Sequence, residues 1–334
     1  MSLMIVSRTP LRISLGGGGT DLPFYADRFG GSLVTAAVNK YIYITVSPRV
    51  QKNIKLNYSK TELVDSVGKI KHPLIRESLK LLGFEDAVEI HSTSEVPPGS
   101  GLGSSSAFLV GLLNALYYHR GSIMSKYKLA EDASHITMDL LGEPCGKQDQ
   151  YASSFGGLNH LKIATDGRVT VTPINISQSA LQKLERNLML FYTGFTRSAN
   201  DVLGEQKKKS EKKSDRDIFE YYHNIKEIGD ESLTCLEKGK LNKFGELMNT
   251  HWGLKRGISD SMSNNDIDRW YNMGLKNGAL GGKIIGAGGG GFLMLYADHN
   301  HEKIKNALSK EGLIFTPFRF DFDGTRIVYD GKHF

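Results

Sequence analysis

Residues 97–107 read Pro-Pro-Gly-Ser-Gly-Leu-Gly-Ser-Ser-Ser-Ala, glycines spaced two apart and then three consecutive serines. Glycines at 99, 101 and 103 let backbone N–H groups converge, and Ser104, Ser105 and Ser106 add hydroxyls where a helix would begin. A helix N-terminus offers unpaired N–H donors and a partial positive charge, which together suit a polyphosphate. Simple capping would need only one serine and at most one glycine. Pro98, Gly99, Ser100, Gly101, Leu102, Gly103, Ser104, Ser105 and Ser106 are therefore expected to hold the phosphates of a nucleotide.

Two familiar phosphate motifs are excluded. No GxxxxGK[ST] run occurs, so the chain is not a P-loop NTPase. Residues 286–291 (GAGGGG) satisfy GxGxxG by letter, yet they precede an apolar run (292–296) that reads as a strand. A dinucleotide fingerprint opens a helix instead. A loop packed beside a ligand is expected there, with Gly288 near the substrate.

Two further blocks carry charge beside glycine. In residues 142–151 (GEPCGKQDQY), Asp149 falls just after a Gly/Pro loop where a helix would start, a position equally open to an N-cap. In residues 8–21, a strand would deliver Arg12, and the loop Gly16–Gly19 leads to Thr20 and Asp21. Taken singly, either charge also suits a surface ion pair.

The elements that must position these residues follow from periodicity. Residues 5–8 and 11–15 read as short strands around Pro10, 41–48 as an alternating strand, 69–82 as a helix and 88–92 as a strand. Residues 107–118 are apolar nearly all round, which predicts a buried helix. A helix over 126–141 ends at Gly142, and 158–163 with 169–173 form a hairpin around Asp166-Gly167. The second half has a strand at 188–192, helices between about 199 and 277, strands at 283–285 and 292–297, a helix at 301–309 and a last pair of strands. An α+β chain of two domains is expected, 4–180 and 188–334.

Composition narrows the class. The chain has 334 residues, 40% hydrophobic and 23% charged, with a net charge of +6. The excess sits largely in 207–213 (KKKSEKK), read as a solvated face or loop. No basic stripe is interleaved with aromatics, which argues against nucleic acid as partner, while a modest positive balance suits anionic small molecules. The longest apolar stretches fall short of the roughly 20 residues that span a bilayer, so no membrane partner is expected. Cys145 and Cys235 have neither metal-ligand nor CxxC spacing, which points to a reducing, cytoplasmic setting. Met1-Ser2-Leu3, ahead of Met4, reads as an addition before the native start.

The three glycine-bearing blocks, in this order, resemble the motifs of the GHMP kinases, and the similarity runs over almost all of the chain. PPGSGLGSSSA resembles the family's ATP-binding motif, GKQDQY the segment with the catalytic aspartate, and GGKIIGAGGGGF the third motif. The resemblance implies a ribosomal protein S5 domain 2-like N-terminal domain and a ferredoxin-like C-terminal domain, with ATP and Mg2+ as cofactors. The finer pattern is similar to the sugar-1-kinase branch, above all the D-glycero-D-manno-heptose 7-phosphate kinases, with L-fucokinases close by. It is carried by residues 9–23, 145–157, 192–199, 251–256 and 278–291. Glycines stand where galactokinases have Glu-His in the first block, which argues against galactose.

Carried over residue by residue, the resemblance makes Asp149 the catalytic aspartate and Arg12 its partner beside the transferred phosphoryl. Asp21 would hold sugar hydroxyls, with Thr20 and Gly18 beside it, and Ser105 would approach Mg2+. The glutamate that usually helps hold Mg2+ falls on Thr137, a weaker neutral ligand. Asp139 does not replace it, because residues two apart on a helix do not share a face. Asp149 would orient the acceptor hydroxyl and take its proton late, a carboxylate being a weak base toward an alcohol.

A phosphorylated acceptor needs a second anion site, for which Arg197 and Lys283 are candidates with Ser198 as accessory donor. His251 and Trp252 are expected to pack a helix, and the aromatics at 24–25 and 41–43 to pack the core rather than stack on adenine. The expected reaction is phosphorylation of the anomeric hydroxyl of heptose 7-phosphate. Fucose or another small alcohol is the alternative acceptor; a catalytically inactive ligand-binding homologue and an RNA-binding protein rank below. A homodimer is allowed for.

Overall fold

The computed structural model describes residues 4–195, 215–258 and 262–331. Arg197, Ser198 and the 207–213 lysine run lie outside the described residues.

Strand β1 (Ile5–Gly16) is continuous rather than two short strands. It pairs with β2 (Gly31–Pro48), and the register slips between Pro10 and Leu11. Proline has no N–H to give the ladder, and that irregularity accommodates it. β2 starts ten residues before the expected strand at 41, because residues 31–38 are buried on both faces and carry no alternation to read. Its first half pairs with β6 (Leu158–Ile163) and its second with β5 (Val88–Ser94). β3 (Ile54–Asn57) and β4 (Thr61–Val64) extend this sheet at one edge, while β7 (Val169–Pro173) completes the expected hairpin with β6.

A second, antiparallel sheet has the order β11-β8-β10-β9: Ile314–Phe315, Leu188–Tyr192, Phe292–Tyr296 and Gly281–Ile284. The last two strands do not pair with each other. β11 joins β8, whereas β12 (Arg326–Tyr329) returns to the first sheet beside β1.

The buried helix is α3 (Ser104–His119), packed across β1 and β2; its residues 106–113 are all buried. Such all-round burial explains its lack of a polar face. The helix expected from Lys69 begins only at Pro73 (α2, Pro73–Leu81), after a single 3-10 turn at Val67–Lys69. Proline fits the first helical position and biases the preceding residue to extended backbone, as at His72 with φ −69° and ψ 110°. The helix expected over 126–141 is α-helical only to Ser134 and continues as a π-helix over His135–Leu140.

Candidate active site

β1 carries Arg12 to the mouth of the 99–106 loop. Its backbone N–H donates to Leu102 O at 3.0 Å, and its side chain donates to Gly101 O. Nε and Nη2 each donate to one oxygen of the Asp149 carboxylate at 2.6 Å, a bidentate pair. Gly103 lies against this pair with φ +74°: a Cβ there would stand 3.2 Å from both Arg12 Cγ and Asp149 Oδ2. Leu102 is wholly buried and anchors the loop; Ser100 is buried with an unpartnered hydroxyl. No side chain caps α3, so its first-turn N–H groups, with Ser104, Ser105 and Ser106, are left for the cleft they line.

Asp149 stands in the first turn of α5 (Gln148–Phe155), whose N-cap position is Lys147. Asp21 lies beside the same turn, 8% exposed, and accepts from the Gln148 N–H at 3.0 Å. Burial pushes the Asp21 carboxyl up, the Gln148 N–H opposes this, and the charge of Asp149 adds to the rise. Gly146 is the seat of that carboxylate, since a Cβ there would fall 2.1 Å from Asp21 Oδ2. Ser14 Oγ and Gln148 Nε2 are buried without partners, and both residues line the cleft. Gly18 closes over Ser14, leaving 2.6 Å between an added Cβ and Ser14 Oγ.

The opposite wall comes from β9, the loop after it, α7 (Asp215–Glu237) and α8 (Leu241–Ile258). Lys283 on β9 is 2% exposed with its Nζ 3.3 Å from His251 Nδ1. Lys255, half-buried, donates from Nζ to Gly286 O at 3.2 Å. The loop presses on the phosphate-loop candidate: a Cβ on Gly101 (φ +85°) would meet Ile285 O at 2.3 Å. Gly288 lines the cleft here, held against Met262.

A second hollow adjoins the first and shares Ser104 and Ser105 with it. Tyr58, His72, Phe108, Val96 and Pro98 are among its lining residues. His72 stacks near Phe108 with ring centroids 5.2 Å apart and meets Tyr58 edge-on at 4.7 Å.

Comparison with known proteins fits this arrangement. Residues 53–157 match the model of the GHMP kinases N terminal domain, and residues 232–313 that of the GHMP kinases C terminal domain. A D-glycero-alpha-D-manno-heptose 7-phosphate kinase of Campylobacter jejuni is 32% identical over 96% of this chain and 98% of that protein. The chain belongs to the GHMP kinase family. A mevalonate kinase of Saccharolobus solfataricus is 24% identical over 94% of this chain and 99% of that protein. The crystal structure of a D-glycero-D-manno-heptose 1-phosphate kinase from Bacteroides thetaiotaomicron superposes with a TM-score of 0.80. It covers 98% of this chain and 99% of that one at 24% identity, a likeness of fold. The fold is thus the two-domain GHMP kinase fold, and the protein is a kinase of this family, a phosphotransferase that carries phosphoryl from ATP to an alcohol group. Among the described residues no helix is long and apolar enough to cross a membrane.

Within this GHMP kinase the expected site residues are not all in the cleft. Thr20 is a correction: its hydroxyl donates to Gly17 O and Ser32 O, accepts from the Ser32 N–H, and is fully buried away from the cleft. It staples the glycine loop. Thr137 does not line the cleft either; its hydroxyl donates back to Ala133 O and Ser134 O. Asp139 faces solvent and pairs with His135. Arg197 falls outside the described residues. Tyr25 packs against Tyr222, and the Tyr41 hydroxyl donates to Asp321, so these rings serve packing.

Sequence reasoning missed Lys255, Ser14, Gln148 and the ring-lined hollow. Lys255 had one available signal: it follows His251 by four residues, hence on the same helix face. Cys145 also lines the cleft, and burial pushes its thiol up to about 12, which leaves it protonated.

Proposed function

We propose that this kinase transfers the γ-phosphoryl of ATP to the anomeric (C1) hydroxyl of D-glycero-D-manno-heptose 7-phosphate, giving the 1,7-bisphosphate. The observation that carries the reading is the Asp149 carboxylate held by Arg12 against Gly103, at the open N-terminus of α3. Nucleotide phosphates lie along Gly99–Ser106, with the adenine in the adjoining hollow against His72, Tyr58 and Phe108. Asp149 orients the acceptor oxygen and takes its proton as the P–O bond forms. Arg12 turns part of its charge to the moving phosphoryl, which spreads negative charge over three oxygens. Asp21, Ser14 and Gln148 read sugar hydroxyls from the floor, with Gly18 and Gly288 giving close backbone approach. The heptose 7-phosphate acceptor is supported by the likeness to the Campylobacter jejuni heptose 7-phosphate kinase and by the two lysines of the opposite wall, neither of which has a carboxylate partner among the described residues.

The donor set bears on Mg2+. Asp21 and Asp149 are the only carboxylates lining the cleft among the described residues, and both are engaged. No cluster of three or more His, Cys, Asp or Glu suited to a metal occurs among those residues. The set fits a metal that arrives on the nucleotide, with Ser105 as a neutral oxygen donor at its edge. Such an ion would neutralise part of the phosphate charge. Cys145 and Cys235 are unpaired, in keeping with a reducing cytoplasm.

The reading is tested by ADP release with heptose 7-phosphate, fucose, galactose and mevalonate as acceptors. Turnover confined to heptose 7-phosphate is expected. Efficient turnover of fucose instead would move the assignment to the alternative acceptor, and no turnover with any of them would sink it.

A further inference from the structure

Lys255 and Lys283 enter the cleft from the wall opposite the 99–106 loop, and neither has a carboxylate partner among the described residues. Lys283 is almost wholly buried, and its neighbour is a histidine rather than an anion. His251 is fully buried, and its Nε2 has no hydrogen-bond partner. Burial, reinforced by the two lysines, holds His251 well below its ordinary range, so it is neutral and accepts from Lys283 at Nδ1. Taking an ammonium out of water without a counter-ion is unfavourable. The same burial lowers both lysines. Two amines kept in such a place are fully protonated only with an anion beside them, and that calls for an anionic ligand.

The nucleotide is the weaker candidate for that ligand. Its phosphates have their own donors on the facing wall, at the uncapped start of α3. Arg12, the cation nearest that loop, is already committed to Asp149 and to Gly101 O. Lys255 feels the charge of Arg12 first and of Asp21 second, so both the Arg12–Asp149 pair and the carboxylate proposed to read sugar hydroxyls act on it, and it lines the same cleft as Asp21. Its anchor on Gly286 O, a backbone carbonyl, fixes the amine while leaving two of its three protons for a ligand.

We propose that Lys255 and Lys283 form an anion subsite that receives the acceptor's own phosphate group and makes this kinase select sugar phosphates over free sugars. His251 is a positioning residue that holds the Lys283 amine. The inference rests on the kinase reading above and adds to it the residues that choose the acceptor.

The test compares D-glycero-D-manno-heptose 7-phosphate with the unphosphorylated heptose in an ADP-release assay. Wild-type enzyme should prefer the phosphorylated sugar. In Lys255→Met the ratio of kcat/KM values, phosphorylated over unphosphorylated, should fall tenfold or more, through KM for the sugar phosphate, and Lys255→Arg should restore most of it. Inorganic phosphate should compete with the sugar phosphate and not with ATP, and lose that effect in Lys255→Met. Lys283→Met should act in the same direction; if it does not fold, Lys255→Met and the phosphate competition decide. A rise in KM for ATP equal to that for the sugar phosphate would assign the lysines to the nucleotide and overturn the proposal. Equal use of both sugars by the wild type would also overturn it while leaving the kinase reading intact. ADP release with neither sugar, nor with any other acceptor, would remove both.

Discussion

Arg12 and Asp149, 137 residues apart in sequence, meet in two parallel hydrogen bonds of 2.6 Å under Gly103. Asp149 is 27% exposed at its side chain and Arg12 only 6%, so the pair presents its carboxylate face to the cleft and keeps the guanidinium beneath it. The arginine also ties the backbone at Gly101 and Leu102, so one residue fixes both the phosphate loop and the carboxylate. On the proposed reading, the acceptor's base and the phosphate cradle are thereby set at one spacing, and positioning of that kind is the larger part of phosphoryl-transfer catalysis.

Asp149→Asn should keep this shape and remove the proton acceptor. The expected result is a fall in kcat of about 10²–10⁴-fold with KM for ATP within a few-fold of wild type, measured by ADP release. A variant that turns over at the wild-type rate would remove Asp149 from the chemistry.

Gly146→Ala asks whether the Asp21 seat matters. The added methyl would overlap the Asp21 carboxylate, 2.1 Å away, and the backbone must shift. Overpacking of this sort destabilises by about 1–3 kcal/mol. A lowered melting temperature together with a raised KM for the sugar is expected. An unchanged KM in a folded variant would show that Asp21 does not read the acceptor.

Both effects concern residues whose types were legible in the sequence, and the difference between what could and could not be read is physical. The glycine-serine loop stands out because several unusual residues fall in a row, and Asp149 and Arg12 because each sits beside glycines in a block whose order matches the family's motifs. Lys255 does not: one lysine on an amphipathic helix looks like any solvated lysine, and only its bond to Gly286 O, in the loop after β9, ties it to the cleft. Thr20 misled for the converse reason, since a threonine beside Asp21 in a glycine loop gives no hint of which way its hydroxyl turns. The first half of β2 was invisible because burial on both faces erases alternation. The departure of β12 from its neighbour β11 depends on a long-range pairing with β1 that local pattern does not encode.

His72→Ala tests the ring-lined hollow. Its imidazole packs between Tyr58 and Phe108, and its removal takes one wall from the space beside Ser104 and Ser105. Stacking on such a ring is worth about 0.5–1.5 kcal/mol, so KM for ATP should rise roughly three- to tenfold while KM for the acceptor holds. A change confined to the acceptor would place the base elsewhere.

The Lys255 ammonium should give the acceptor affinity a pH dependence. Burial first, then the positive charge of Arg12, pushes it down to about 8, with Asp21 opposing. Lys283, also lowered by burial and by Lys255, and the neutral His251 face it from β9 and from its own helix. Below pH 8 the amine is charged and attracts a sugar phosphate; as pH rises past 8 it loses the proton and the attraction with it. The acceptor's own phosphate does not confuse the result, because its second ionisation lies near 6 and is complete throughout this range. KM for the sugar phosphate should therefore climb between pH 7.5 and 9 (on the order of tenfold per unit once past the midpoint), while KM for ATP stays level. In Lys255→Arg, whose guanidinium remains charged at every pH used, the climb should disappear. A climb that persists unchanged in that variant would assign the titration to another group.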